Sequence, residues 1–132
     1  MALGMMIDGE WTTEWNERDR SGKFNRTPTK FRDLITADGS SGFKAEAGRY
    51  HLYVSLACPW AHRTLIMRKL KGLEAAIGVS IVDPILSDKG WEFSEEPGAT
   101  LDLANHTQYL QDIYLKADAK YTGRITVPVL WD

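Results

Sequence analysis

The chain of 132 residues has a single cysteine. One thiol excludes an internal disulfide framework. Apolar runs are short, and none nears the roughly 20 residues that would span a bilayer. A formal net charge of −2 leaves no electrostatic footprint for nucleic acid or for an acidic membrane surface. Met1 to Met6 lack the basic flank and long apolar core of a signal peptide. With a lone thiol to keep reduced, the cytoplasm is the expected compartment. The histidines, His51, His62 and His106, are scattered along the chain, so no metal site is expected. Internal repeats and low-complexity segments are also missing.

What is present is ordinary in bulk: 43% hydrophobic and 26% charged residues, the balance of a globular chain with room for one domain. Five tryptophans are many for this length. They suit a large aromatic core or a site for a flat ligand. Residues 1–46 read as an irregular arm, with turn signals at Asp8-Gly9, Ser21-Gly22 and Asp38-Gly39 and scattered aromatics at Trp11, Trp15, Phe24, Phe31 and Phe43. No helical or strand period is sustained there. Ordering is expected from about Phe24 onward and mobility before it.

From residue 47 the pattern changes. Tyr50–Ser55 alternates and is rich in strand formers, so a strand is predicted. Pro59 suits the first turn of a helix. That helix continues from Ala61 to Leu70, with Ala61, Leu65, Ile66 and Leu70 as the expected buried stripe and Gly72 as the stop. Ile77–Val82 reads as a second strand, and 86–100 as a polar loop carrying Trp91 and Phe93. Asn105–Ala117 reads as a second helix with Leu110, Ile113, Tyr114 and Ala117 on one face. Ile125–Leu130 is a third strand, interrupted by Pro128. Proline cannot donate to a sheet ladder. A turn with a cis Val127–Pro128 bond resolves the conflict and leaves the backbone of Val127 to pair with something outside the sheet. The order strand–helix–strand–helix–strand predicts an α/β fold.

Cys58 falls between the first strand and its helix. Helix N-termini present unsatisfied N–H groups and the positive end of the dipole, which favour an anion such as a thiolate. In open α/β sheets ligands bind beyond the carboxyl ends of the strands, where Cys58 lies. A dithiol enzyme needs a second cysteine three residues on, and Ala61 stands there. Any disulfide cycle must therefore be monothiol, with an external thiol as resolver. The bland alternative is a buried structural cysteine. Arg63 offers thiolate support or a carboxylate contact, against a plain helix-surface arginine. Trp60 offers stacking or shielding of the thiol, against core packing. His62 reads better as a structural hydrogen-bonding residue than as an ion-pair partner of Cys58.

The blocks Gly48-Arg49-Tyr50-His51-Leu52-Tyr53, Cys58-Pro59-Trp60-Ala61-His62-Arg63, Gly90-Trp91-Glu92-Phe93 and Tyr121–Asp132 resemble, in this order, the glutathionyl-hydroquinone reductases, the Xi class of glutathione transferases. The similarity runs from about Phe24 to Asp132. The resemblance implies a thioredoxin-like domain over residues 47–132. It implies Cys58 as the catalytic thiolate, with Trp91, Arg124, Val127 and cis-Pro128 lining a glutathione site. It also implies glutathione as co-substrate and a homodimer in the full-length protein. The family's domain goes on with a fourth strand, a further helix and an all-helical domain that supplies the hydroquinone pocket. The sequence stops at Trp131-Asp132, so an incomplete thioredoxin-like domain is expected. The implied activity is reduction of glutathionyl-hydroquinones through a Cys58–glutathione mixed disulfide. The alternatives are a catalytically idle binding module and a glutaredoxin-like deglutathionylase.

Overall fold

The computed structural model describes residues 4–14, 21–23 and 27–132. Trp15 and Phe24, aromatics of the arm, lie outside the described residues.

The centre of the fold is β3 (His51–Val54), flanked by β4 (Gly78–Ile81) and β6 (Val129–Trp131) in the order β4-β3-β6. The β3–β4 pair is parallel, with Leu52 opposite Val79, and the β3–β6 pair is antiparallel, with Leu52 opposite Leu130. A parallel pair needs a crossover, and α1 (Pro59–Leu70) provides it. Leu52, Tyr53 and Val54 are all buried, as befits a strand covered on both faces.

Helix α1 begins where Cys-Pro predicts, and Arg68 and Lys69 place positive charge in its last turn, which suits the dipole. Arg68 also donates to the carbonyls of Glu74 and Ile77, tying the helix end to the turn before β4. The expected apolar stripe is only half right. Ala61 is buried and Leu65 packs on the core, whereas Ile66 and Leu70 are exposed. Apolar side chains occupy most of the helix circumference, so the 3.6-residue period did not single out one face.

The second helix, α2 (Leu110–Ala117), starts later than the sequence suggests. The carboxylate of Asp102 captures the N–H groups of Ala104, Asn105 and Thr107. His106 adopts φ 56°. Local side-chain bonds of this kind compete with helix formation. Leu110, Ile113 and Tyr114 face the core as expected, and Ala117 is exposed.

The arm contains regular structure that the sequence reading lacks. Strands β1 (Met5–Ile7) and β2 (Glu10–Thr12) form a hairpin about Asp8-Gly9, whose φ values of 52° and 85° suit a two-residue hairpin turn. This hairpin pairs with β5 (Gly123–Arg124) in a second sheet of order β2-β1-β5. Of the strand expected over Ile125–Leu130 only Val129 and Leu130 are strand, in β6, while β5 ends just before that range and belongs to the other sheet. The Val127–Pro128 bond between them is cis. Met6, Leu52, Tyr53, Val82, Phe93, Ile113, Tyr121 and Val127 belong to one buried cluster, so both sheets share a core.

Candidate functional site

The chain leaves β3 at Ser55, which is fully buried. Its hydroxyl oxygen accepts the Ala57 N–H and its carbonyl accepts the Cys58 N–H, both at 3.2 Å. These two bonds shape the turn that delivers Cys58 to the helix. Cys58 is the N-cap of α1, in extended conformation, and its carbonyl accepts the His62 N–H at 3.0 Å to open the helical ladder. Its side chain makes no capping bond. Instead Sγ lies 3.7 Å from the carbonyl oxygen of Val127, as donor. The half-buried thiol therefore stands beside the first N–H groups of α1 and against the residue before cis-Pro128.

Two tyrosines hold the segment opposite the thiol. The Tyr114 hydroxyl donates to the Thr126 carbonyl at 2.8 Å and accepts the Thr126 N–H at 3.3 Å. Tyr121 donates to the Arg124 carbonyl at 2.9 Å. Burial pushes both phenols up, Tyr121 to about 12, so both stay protonated donors near neutral pH. The rings pack at 4.9 Å between centroids. Neither tyrosine stood out in the sequence as part of a site, because each acts through main chain that only the tertiary fold brings near.

Trp91 is half-buried in the loop after β4 and packs on the core. Its carbonyl accepts the Leu110 N–H at 2.9 Å, and the neighbouring Phe93 N–H donates to Gln108. Trp91 is thus fixed to the start of α2. Arg124 sits in β5, opposite Met5 of the hairpin. Trp60 is 61% exposed, so it is not a core residue. Arg63 is exposed, and among the described residues no hydrogen bond or ion pair joins it to Cys58. The geometry thus joins Cys58 directly to Val127, while Trp91 and Arg124 reach their places through α2 and the hairpin.

A cavity of about 650 Å³ is lined by Phe31, Tyr50, Tyr114, Pro128 and Trp131 among others, and Cys58 does not line it. The thiol and this cavity therefore lie apart, on the Val127 and Pro128 residues of the same segment. Among the described residues no group of three or more His, Cys, Asp or Glu side chains could hold a metal ion. No described helix is long and apolar enough to cross a membrane.

A free thiol at a helix start facing a cis-proline segment can be compared with known proteins. Residues 57–132 match the family described as glutathione S-transferase, N-terminal domain. Glutathionyl-hydroquinone reductase YqjG of Escherichia coli is 54% identical over 98% of this chain and 42% of its own length. Glutathionyl-hydroquinone reductase PcpF of Sphingobium chlorophenolicum is 46% identical over 98% of this chain and 41% of its own length. Among solved structures, the Xi-class transferase from Natrialba magadii superposes with a TM-score of 0.86 at 48% identity, covering 99% of this chain and 39% of that one. The glutathione-bound YqjG structure gives 0.82 at 51% identity, covering 98% and 39%. The chain thus spans about 40% of the length of the relatives it matches. It belongs to the glutathione S-transferase family through its N-terminal, thioredoxin-like domain, and it is similar to the Xi-class glutathionyl-hydroquinone reductases.

Proposed function

We propose that the chain carries the thiol-transfer half of a glutathionyl-hydroquinone reductase, with Cys58 as nucleophile and glutathione as co-substrate. The observation that carries the reading is the 3.7 Å approach of Cys58 Sγ to the Val127 carbonyl at the start of α1. The thiolate attacks the sulfur of a glutathionyl-hydroquinone. A Cys58–glutathione disulfide forms, the carbon–sulfur bond breaks, and the ring carbon keeps the electron pair and takes a proton. A second glutathione thiolate then attacks the mixed disulfide, releasing glutathione disulfide and restoring the Cys58 thiolate. Helix N–H groups favour the anionic sulfur on both sides of the cycle.

In this reading Trp91, Arg124 and Val127 bind the tripeptide. The Val127 main chain forms one rung with its cysteinyl unit, and Arg124 meets a carboxylate through charge-assisted bonds. The thiol and the incoming peptide N–H would then compete for one carbonyl oxygen. Trp60, exposed two residues after the thiol, is placed to cover an aromatic leaving group. A thiol that must remain reduced fits the cytosol, and the proposal extends to that compartment.

The test is intact-mass spectrometry of the chain after exposure to a glutathionyl-hydroquinone, with Cys58→Ser as control. One glutathione adduct on the parent, removed by added glutathione and missing from Cys58→Ser, is expected, together with released hydroquinone. An unmodified parent chain, or equal hydroquinone release by Cys58→Ser, would defeat the proposal. A glutathionylated protein offered in parallel distinguishes deglutathionylation, since it would then be consumed faster than the quinol substrate.

A further inference from the structure

The hairpin of residues 5–12 touches two separate parts of the proposed site. On one side β1 pairs with β5, setting Met5 opposite Arg124 and Met6 opposite Gly123. Around that pairing the Asp8 N–H donates to the Thr122 hydroxyl at 2.8 Å and the Gly9 N–H to the Tyr121 carbonyl at 3.0 Å. On the other side β2 presents Trp11, whose indole N–H donates to the Asp88 carbonyl at 3.0 Å. The indole lies on Gly90: a β-carbon there would come within 2.8 Å of its ring. Gly90 has φ 83° and closes a tight turn with Ser87 through two 3.0 Å main-chain bonds. The next residue is Trp91. Gly4 lies against the same Cζ2–Cη2 edge of the indole, where a β-carbon would lie 2.3 Å from the ring. The six-membered edge of Trp11 is therefore in close contact with both the chain at Gly4 and the Ser87–Gly90 turn, and Met6 on the neighbouring strand is 1% exposed.

We infer that Trp11 is a positioning residue for glutathione: the N-terminal hairpin braces the Trp91 loop against the Arg124 strand and fixes the two sides of the tripeptide site relative to each other. The inference rests on the glutathione reading above, because Trp91 and Arg124 are ligand contacts only within it. Its physical content is preorganisation. Trp91 follows a four-residue turn whose outer surface is covered by one indole, and Arg124 lies on a two-residue strand whose hydrogen-bonded partner is β1. Loosening the indole frees both, and binding must then order them again. The nucleophile is held by Ser55 and α1, so its reactivity is independent of the brace.

The test measures reduced-glutathione affinity by titration calorimetry, and Cys58 alkylation rate, on the 132-residue chain and three variants. Trp11→Ala is expected to weaken glutathione roughly tenfold, a supporting residue's displacement being felt at the ligand. Trp11→Phe keeps a ring on Gly90 but loses the bond to Asp88, and is expected to weaken it roughly threefold. Ile81→Ala, a truncation in β4 away from the hairpin, is expected to lower the melting temperature with no change in affinity. The alkylation rate stays at the parent value in all three. If the parent binds glutathione and Trp11→Ala binds equally well, the brace is refuted and the glutathione reading stands. An equal loss in Ile81→Ala also refutes it, since general loosening then explains the effect. A parent chain that takes up no glutathione removes the reading itself. Should Trp11→Ala fail to fold, amide exchange in Trp11→Phe decides: faster exchange confined to residues 88–92 and 123–125 supports the brace, and unchanged exchange there overturns it.

Discussion

The site depends on a few side chains whose hydrogen bonds are made to main chain. Tyr114 is the clearest case. One hydroxyl satisfies both the N–H and the C=O of Thr126, directly before Val127 and cis-Pro128. Removing it leaves two main-chain groups without their partner in a part-buried setting, and an unmet group of that kind costs about 1–3 kcal/mol. Tyr114→Phe keeps the ring contacts with Phe31 and Tyr121, so packing loss stays small. The expected result is a fall of about 1–3 kcal/mol in urea-unfolding stability, with weaker glutathione binding because the Val127 rung is less firmly held. Unchanged stability and affinity would show that the hydroxyl is dispensable. Tyr53 and Asp102 form a second such centre. The Tyr53 hydroxyl donates to Asp102 Oδ1 at 2.9 Å and accepts from Asn105. Asp102, 2% exposed, accepts from four further donors between Ala104 and Thr107. A carboxylate replaces a helical turn there.

At the scale of elements, the hairpin turn is the most exposed to test. Gly9 has φ 85°, and a β-carbon on it would lie 2.3 Å from the Ala119 carbonyl oxygen. Gly9→Ala therefore meets a left-handed backbone penalty of about 1–2 kcal/mol and a collision with main chain that cannot swing away. A loss of at least about 2 kcal/mol is expected, read as a lower urea midpoint; a midpoint equal to the parent's would show that the hairpin is not held against the rest of the fold. This element also shows where sequence reading stops. Cys58-Pro59 and the alternation in Tyr50–Ser55 are local signals, so β3, the start of α1 and the position of the thiol were legible. So was the cis bond at Val127–Pro128, because a proline within a strand pattern has few solutions. The hairpin strands are three residues each, too short to show a period of two. Asp8-Gly9 between Met5-Met6-Ile7 and Glu10-Trp11-Thr12 was the one available signal. The end of one strand at Arg124 and the start of another only at Val129 were not legible, because β5 pairs with β1, more than a hundred residues earlier in the chain. The braces on the site, Trp11, Tyr114 and Tyr121, were hidden for the same reason.

At the scale of the whole molecule, most ion pairs among the described residues do little. Lys30–Asp118, Arg49–Glu46 and Lys69–Glu74 lie at the surface, where each contributes at most about 1 kcal/mol, while Arg49 grips Asp132 through two hydrogen bonds, at 2.6 and 2.8 Å. The two sheets are joined by the shared apolar core, and stability responds to pH through titratable groups packed against its Tyr53. Two such groups act in the same direction. Burial lowers the His51 pKa below its ordinary 6.5, with Asp102 raising it and Arg68 lowering it by smaller amounts; its Nε2 lies 2.7 Å from the Ser80 hydroxyl oxygen. Asp102 is pushed up by burial, but its hydrogen bonds from Asn105, Thr107 and Tyr53 together outweigh this and hold it below 3.8. In both cases the folded state binds fewer protons than the unfolded chain, so stability rises with pH wherever either group titrates. For His51 the full contribution is present above 6.5 and is lost as pH falls through the lower folded value. For Asp102 the loss comes in a separate step below 3.8. The melting temperature is therefore expected to be flat above about pH 7, to fall once the pH drops below 6.5, and to fall again below 3.8. His51→Gln removes the first step and leaves the second. A first step that survives in His51→Gln would assign it to another group and exclude the half-buried imidazole as its origin.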